Sequence, residues 1–550
     1  MNYYIGVDTG GTYTDAVLVA MDSQEVVRRA KKPTTHHDLS IGVGQALAAL
    51  FEDGHDPKEV CGLAVSTTLA TNAIVENRGA RVGLFVLGYV RHFKLPVVAN
   101  VFLKGGHDIH GREEEPLDLE NLVDTVQGLR KEVDSYAVCG SMSIKNPTHE
   151  LVAEKAISMI DPKPVFCSHR VSDNPGMRAR AATACLHAKL QPLMQAFLES
   201  VQRSMRKTGL SCPVTIICGD GTGASLEEVA ERAAITMASG PAATAGFGAT
   251  AGRKDALIVD VGGTTTDVCM IKDGKPVLSE EGCRIGQWQT HVRAIDMYTG
   301  AGGGDSHIYC TDTGTVKILP TRVQPLAVTR NLPDPADWLG CGRDCALVLP
   351  AGNIEPGDDP VLRYLVDNGP GTFTTLASHT GLEGMALEKH LERLQFLQQI
   401  TMAGFTPTDA LHVLGRLDIG DKKQAENAAR VLARACQMEV DQFCKQTLAM
   451  TEEVIEQIIL EYLGRAVWGD QKAAPFLNNR DNELFTVRFQ LKRPIIGIGA
   501  AARAFLPGVA KRLQTEVIFP DLYETGNAIG AALIGMQACS CSSCQNPDAA

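Results

Sequence analysis

No uncharged apolar stretch in this chain is long and hydrophobic enough to span a bilayer, and the 233–251 region is rich in Ala, Gly, Thr and Ser rather than Leu or Ile. The opening segment, MNYYIGVDTGG, has neither a basic region nor an apolar core of signal-peptide length, so a cytoplasmic protein is expected. Positive charge is in deficit. A net charge of −12 argues against a nucleic-acid or anionic-membrane surface, since neither attracts an acidic protein. There is no GxxxxGK[ST], which excludes a P-loop. The sixteen cysteines, among them Cys61, Cys139, Cys185, Cys218 and Cys269, are scattered through predicted strands and helices, which fits reduced, buried thiols rather than a disulfide framework.

What is present begins with size. At 550 residues, 44% hydrophobic and 21% charged, the chain has the composition of a globular protein with room for two or more domains. One short pattern occurs twice: DTGGTYTD from Asp8 to Asp15, and DVGGTTTD from Asp260 to Asp267. Each copy follows one apolar run and leads into another, which reads as a β-hairpin with a glycine-threonine turn. Glycine lets the backbone come close to a ligand and present N–H groups to phosphate oxygens, here at Gly10, Gly11, Gly262 and Gly263. Hydroxyls of Thr12, Thr14, Thr264, Thr265 and Thr266 add donors, while Asp8 and Asp260 are placed to hold a hydrated Mg²⁺ or orient a water. Two such hairpins facing each other would grip a polyphosphate. Asp15 and Asp267 are expected to close the hairpins. The plain alternative, glycine turns without a ligand, suits one copy better than two.

Along the chain, short apolar strands alternate with amphipathic helices, an α/β pattern. Strands are expected at 61–68, 80–88, 136–139 and 164–169, helices at 38–52, 70–79 and 176–207, and a turn at SGPAA, 239–243. The expected division is 1–185, a first lobe with the first hairpin; 186–310, a second lobe with the second hairpin; 311–480, an insertion that is helical without strands from 383 and lies outside the nucleotide-binding core; 481–538, completing the second lobe; and 539–550, a cysteine-containing tail. Within 481–538, FTVRFQLKRPIIGIGA reads as strands and AARAFLPGVAKRL as a helix interrupted near Pro507. GIGAAARAFLP, 497–507, follows a strand and opens a helix. It matches a dinucleotide fingerprint locally, but a Rossmann domain carries that turn in its first βα unit.

The paired hairpins resemble the phosphate 1 and phosphate 2 motifs of the actin, sugar kinase and Hsp70 superfamily of ATPases. That resemblance implies a two-lobed α/β actin-like ATPase fold with ribonuclease H-like lobes and an inserted helical subdomain. It also assigns Gly497, Gly499 and Ala500 to an adenosine turn, and NAIGAAL, 527–533, to a helix connecting the lobes. Further segments resemble the hydantoinase A and 5-oxoprolinase family: STTLATNAIVENRGARVGLFV (66–86), SGPAA, TGAGGGDS (299–306) and GFTPTDALHVLGRLD (404–418). The family's glycine-proline-histidine element is replaced by GIGAAARAF.

This resemblance implies an enzyme, an ATP- and Mg²⁺-dependent hydrolase that opens a cyclic amide such as 5-oxoproline or a hydantoin by phosphorylating the carbonyl oxygen. It allows for a hydantoinase B-type partner subunit and for a homo-oligomer. A lactam carbonyl is a poor electrophile, and phosphorylation would turn its oxygen into a leaving group. Asp8, Asp260 and Asp305 are the catalytic candidates. The loop GAGGGDSHIY, 300–309, is read as substrate-facing, with Asp305 and His307 offering acid–base or metal chemistry, against a plain flexible turn. Thr67, Thr68 and Asn72 are weaker substrate candidates. Cys539, Cys541 and Cys544 form C-x-C-x-x-C, which suits Zn²⁺, an iron–sulfur cluster or an untethered tail, with Cys341 and Cys345 as further ligands if near. The rival functions are an ATP-dependent ketone carboxylase subunit and a switch or activator ATPase.

Overall fold

The computed structural model describes residues 2–10, 13–35, 39–75, 78–89, 91–285, 288–352, 356–397, 399–418, 420–469, 483 and 486–538. Gly11, Thr12, Cys539, Cys541 and Cys544 lie outside these. The chain divides into two compact units, the first comprising Met1–Lys254, Met270–Asp296 and Thr525–Ala550, the second Asp255–Cys269 and Met297–Glu524. No helix among the described residues is long and apolar enough to cross a membrane.

The strands of the first unit up to residue 254 are β1 (Tyr3–Thr9), β2 (Tyr13–Ala20), β3 (Val26–Pro33), β4 (Val60–Thr67), β5 (Val82–Leu87), β6 (Ala99–Leu103), β7 (Ser135–Gly140), β8 (Val165–Cys167), β9 (Val214–Ile217) and β10 (Gly223–Ala224). They form one sheet in the order β10-β9-β4-β1-β2-β3 and a second, parallel sheet in the order β6-β5-β7-β8. Every residue of β1 is buried, so its run of apolar residues faces packing on both sides. One of those layers is the helix Gly526–Ala538, which packs on β1 and β4. Its small residues follow from distance: a Cβ on Gly6 would strike the Ala528 carbonyl, one on Gly530 the Ala243 carbonyl of the helix Ser239–Ala249, and one on Gly535 the Tyr4 ring. In the parallel sheet Phe85, Leu87, Tyr136 and Val138 build a core with Leu122, Val126 and Ile157.

The break expected at 185/186 falls inside a continuous helix, Met177–Thr208. It is not a boundary, because β9 pairs in parallel with β4 and so carries the chain back into the first sheet. The helix Gly526–Ala538, expected to complete the second lobe, likewise belongs to the first unit.

In the second unit, β11 (Ala256–Val261) lies between β12 (Thr265–Lys272) and the strand Ile495–Ile498, which runs parallel to it; the end of β12 from Met270 is counted with the first unit. Met297–Ala301 pairs antiparallel with β12. The stretch 383–466 is not purely helical. Ile400–Gly404 is a strand, held antiparallel to Ala346–Pro350 and parallel to Gln324–Pro325. Five residues of apolar character carry no decisive period, and partners some 50 and 80 positions away decide the conformation. Nor do these helices stand outside the core, since Val440–Trp468 packs on Met297–Ala301 and on the helix Ala502–Arg512. That last helix continues through Pro507, its buried Phe505, Leu506 and Val509 outweighing one lost backbone hydrogen bond. Of the expected strands in FTVRFQLKRPIIGIGA, only Ile495–Ile498 forms a regular strand among the described residues.

Replacing Gly530 with Ala forces a methyl group against the Ala243 carbonyl. Urea unfolding of Gly530→Ala is expected to show a loss of roughly 1–3 kcal/mol, and unchanged stability would mean the two helices separate at no cost.

Candidate functional site

Both hairpins close in the same way. The Gly10 N–H donates to the Tyr13 carbonyl at 3.0 Å, and the Gly262 N–H to the Thr265 carbonyl at 3.0 Å, leaving a loop of two residues in each case. Asp8 stands opposite Asp15 and Thr9 opposite Thr14. The correspondence extends to residues that turn away from the loops. Thr14 and Thr266 are fully buried. The Thr266 hydroxyl donates to the Gly302 carbonyl at 2.8 Å, and the Thr14 hydroxyl meets that of Thr34 at 3.1 Å, while Thr34 donates to the Gly10 carbonyl at 2.9 Å. These two threonines hold the turns in shape and are not free phosphate donors, which corrects their expected role. Asp15 and Asp267 each keep one buried carboxylate oxygen without a hydrogen-bond partner among the described residues. Burial raises the pKa of both, that of Asp267 to about 6. Gly10, Gly262, Gly263, Thr264 and Thr265 remain at the turns; Thr264 and Thr265 are half-buried.

Asp8 is the next-to-last residue of β1, beside β4 and opposite Ser66. The Ser66 hydroxyl donates to Asp8 Oδ1 at 2.7 Å, and Asn527 Nδ2 to Oδ2 at 3.4 Å. Thr244 donates to Asn527 Oδ1 at 2.6 Å, which turns the amide so that its NH₂ faces Asp8. Burial pushes the Asp8 pKa up to about 6, helped by the charge of Asp15 and opposed by Ser66, Asn527 and Lys31. An oxygen donor of this kind, buried and short of positive charge, fits a hard divalent cation such as Mg²⁺.

SGPAA, expected as a turn, begins the helix Ser239–Ala249. Proline is tolerated there because the first-turn N–H groups have no helical partner. Ser239 Oγ accepts from the Thr67 N–H at 2.9 Å and donates to the Thr67 carbonyl at 2.8 Å. A Cβ on Gly240 would lie 3.7 Å from Asp8 Oδ1, so the helix N-terminus sits beside the carboxylate. Ala238 before it has φ of 63°, a strained value for a residue with a side chain. Ser66, Asn527, Thr244 and this helix start were not singled out from sequence around Asp8. Thr67, a weaker substrate candidate, is buried and accepts the Leu69 N–H at 3.1 Å, the geometry of a helix cap, and Asn72 donates to Thr68 at 3.2 Å.

In the second unit the GAGGGDS segment is a buttress for the second hairpin. The Gly304 N–H donates to the Gly262 carbonyl at 3.1 Å, the Asp305 N–H to the Gly263 carbonyl at 2.7 Å, and the Gly302 N–H to the Thr264 carbonyl at 3.1 Å. Its glycines admit protein: side chains at 300 and 302 would collide with Ile458 and Val454, and one at 303 with the Gly262 and Gly263 carbonyls. The Asp305 carboxylate pairs with Arg322 at 3.4 Å and crowds the Cα of Gly263, where a Cβ would strike it. Burial raises its pKa, while Arg322 and Thr408 oppose. His307 is buried with Nε2 3.2 Å from the Cys345 carbonyl, and burial lowers its pKa. The segment is therefore not a free turn: its backbone buttresses the second hairpin, the half-buried Asp305 carboxylate lies against Gly263, and His307 belongs to the interior.

Asp260 lies opposite Ile498 on the parallel neighbour of β11. Gly499, with φ of 93°, has no room for a Cβ against Asp260 Oδ1, and its N–H donates to the Tyr523 carbonyl at 3.0 Å. Gly497 is enclosed by Phe519 and Leu506, a core position and not a ligand contact. Ala500 is exposed at the turn. Arg503 lies over both Phe519 and Tyr523, at 5.3 and 5.0 Å from the ring centroids, forming a flat cationic-aromatic surface near this turn that sequence reading missed.

Comparison with known proteins gives these features a family. The hydantoinase/oxoprolinase N-terminal region matches residues 4–160, and the hydantoinase/oxoprolinase model matches 180–533. The alpha subunit of caprolactamase from Pseudomonas jessenii is 28% identical over 359 residues, covering 58% of this chain and 50% of that protein. The gamma subunit of acetophenone carboxylase from Aromatoleum aromaticum is 28% identical over 364 residues, covering 56% and 48%. The chain thus spans about half the length of these curated relatives. Among solved structures, nucleotide-free acetone carboxylase aligns with a TM-score of 0.66 at 18% identity, covering 96% of this chain and 70% of the other. The P. jessenii ATP-dependent caprolactamase aligns at 0.64 and 20%, with the same coverage. The fold is mixed α/β and is the one shared by these two solved structures. With two family models matching most of its length, the chain belongs to the hydantoinase/oxoprolinase family.

Proposed function

We propose that this chain is the ATP-using part of an enzyme that opens a cyclic amide, such as 5-oxoproline, a hydantoin or a related lactam or imide, by phosphorylating the carbonyl oxygen. The observation that carries the reading is the pair of hairpins, closed by the same hydrogen bond and each preceded by an aspartate, in a member of the hydantoinase/oxoprolinase family. The turn amide of Gly263 and the hydroxyls of Thr264 and Thr265 bind phosphate oxygens, while Gly10 and Gly262, whose own N–H groups close the hairpins, let the backbone approach the phosphates without a side chain in the way. Gly11 and Thr12, outside the described residues, are assigned to the same role from the repeat. Gly499 and Ala500 bring the backbone close to the adenosine, with Tyr523 and Arg503 as its flat neighbours. Asp8 and Asp260 would hold Mg²⁺, which would supply positive charge for the phosphoryl transfer. Ser66 and Asn527 orient Asp8. Asp305 acts at one remove, keeping the Gly262–Gly263 turn in place.

The substrate is a cyclic amide in this reading because a family member carrying the same fold is described as a caprolactamase. Relatives described as acetophenone and acetone carboxylase subunits favour a second reading, the phosphorylating subunit of a ketone carboxylase. Both demand the same first step, transfer of a phosphoryl group to an oxygen, and they differ in what attacks next. Subunit names among the relatives also support a partner chain, a hydantoinase B-type subunit in the first reading.

ADP release is the measurement that decides. A panel of cyclic amides, with and without a partner subunit, is expected to stimulate it and to yield ring-opened product; stimulation only by a ketone with bicarbonate would transfer the assignment to the carboxylase reading. Asp8→Asn and Asp260→Asn are each expected to lower turnover by two orders of magnitude or more with the fold retained by circular dichroism, and full activity in both would leave the carboxylates as turn residues. The nucleotide-free Asp8 pKa of about 6 implies that activity falls as pH drops through that range. Ser66→Ala removes a donor that favours the charged carboxylate, so the acid limb of the pH–rate profile should move to higher pH; an unmoved limb would mean Asp8 does not govern it. Asp305→Ala is expected to weaken ATP binding itself, measured by fluorescent-nucleotide titration, whereas intact ATP affinity with lost amide response would return the loop to the substrate.

A further inference from the structure

Four cysteines distant in sequence meet in the second unit. Cys310 ends the strand Ser306–Cys310, Cys341 precedes the short turn of helix Gly342–Cys345 that Cys345 closes, and Cys436 follows the helix Lys422–Ala435. Cys310 Sγ lies 3.0 Å from Cys436 Sγ and 3.5 Å from Cys341 Sγ. Cys345 Sγ is 3.3 Å from the Cys310 N–H nitrogen and 3.4 Å from the Cys310 carbonyl oxygen. All four are free thiols, three of them buried and Cys341 half-buried. Burial pushes the pKa of Cys310 and Cys341 up to about 11 and that of Cys345 to about 12.

Neutral thiols have little reason to converge from three separate elements. Hydrophobic packing is satisfied by one sulfur at a time, and a weak S–H donor contributes little. A thiophilic cation changes this balance. Zn²⁺ binds four thiolates at about 2.3 Å, which sets sulfur–sulfur separations near 3.8 Å, and its ligand pairs commonly have the spacing C-x₂₋₄-C. Cys341 and Cys345 have that spacing, as C-x₃-C. The location is also one that needs a staple. Residues 326–345 between strands contain only the one-turn helix Pro335–Trp338 and the turn Gly342–Cys345, so this stretch has few backbone hydrogen bonds of its own.

We propose that Cys310, Cys341, Cys345 and Cys436 bind one structural Zn²⁺, which draws the sulfurs from a row into a tetrahedron and ties the 341–345 turn to the end of Ser306–Cys310 and the end of Lys422–Ala435. On binding, four S–H bonds break, four Zn–S bonds form, and four protons pass to the solvent; no electrons are transferred. The trio Glu150, Cys167 and His169 has its ligand atoms within 4.8 Å of one another, a spacing that no three of the four sulfurs reach in their row. It is nevertheless a filled network: the Glu150 carboxylate already meets the Gly140 and His169 backbone N–H groups, the Ser168 hydroxyl and the His169 ring. In the thiol cluster one backbone donor, the Cys310 N–H to Cys345 Sγ, faces four sulfurs, far short of what four thiolates need.

The test is the zinc content of the full chain, expressed with zinc, purified without chelator and dialysed against metal-free buffer, then measured by mass spectrometry of the metal. One zinc per chain is expected, retained in the Cys539→Ser, Cys541→Ser, Cys544→Ser triple variant and lost in Cys310→Ser and Cys436→Ser. Should the latter variants fail to fold, cobalt-substituted wild-type protein provides the second reading, with thiolate-to-cobalt absorption and the visible bands of a tetrahedral site. Zinc lost with the tail cysteines and kept without Cys310 would overturn the proposal. So would a metal-free wild-type protein, or a Cys310–Cys436 disulfide in a non-reducing peptide map of freshly purified material.

Discussion

Backbone can reach a carboxylate near the end of a buried strand only where a glycine leaves out the side chain that would stand between them. This constraint recurs at each candidate position. Gly240 brings a helix start to Asp8, Gly499 brings a strand end to Asp260, and Gly303 lays backbone on the carbonyls of Gly262 and Gly263. The packing layers obey it too, since Gly6 and Gly530 let the helix Gly526–Ala538 lie on β1 and on Ser239–Ala249 at backbone distance. Asn527, the second residue of that helix, reaches Asp8 as a result.

Charge is managed locally in a chain of net charge −12. Asp8 is buried with hydroxyl and amide donors around it, and Lys31 contributes only weakly, so its proton is held up to about pH 6. A divalent cation is the natural counterpart of such a group, because it supplies at once the charge that burial withholds. Asp15 and Asp267, two residues beyond the Tyr13 and Thr265 carbonyls that close the turns, are half-buried, each with one enclosed oxygen that has no partner among the described residues, and a bound water or a cation relayed through water would satisfy them. The repeat in sequence is thus a repeat in electrostatic design, with a carboxylate before the turn and another after it.

The GAGGGDS loop shows how the same residues admit two physical readings. Glycine permits close approach of a ligand and close approach of protein, and the sequence signal is identical. Ile458 and Val454 of the helix Val440–Trp468 fill the space at Gly300 and Gly302, and that helix lies about 150 residues further along the chain. Asp305 then has a positional reason to be acidic, as the partner of Arg322 against the second turn.

Sequence alone determined the two hairpins, because each is a local device: apolar runs, a glycine pair and flanking aspartates within fifteen residues. It also determined the family resemblance and the long helix Met177–Thr208, whose pattern persists over nine turns. Tertiary structure decided what depends on partners distant in the chain. Thr14 and Thr266 turned inward to Thr34 and Gly302, β9 joined the first sheet and moved the expected break, Ile400–Gly404 became a strand against Ala346–Pro350, and the helix Gly526–Ala538 joined the unit that begins at residue 1. The physical reason is the same in each case. Hydrogen-bond pairing and side-chain volume are settled between segments, and a single sequence records the propensity of each segment but not the neighbour it will meet.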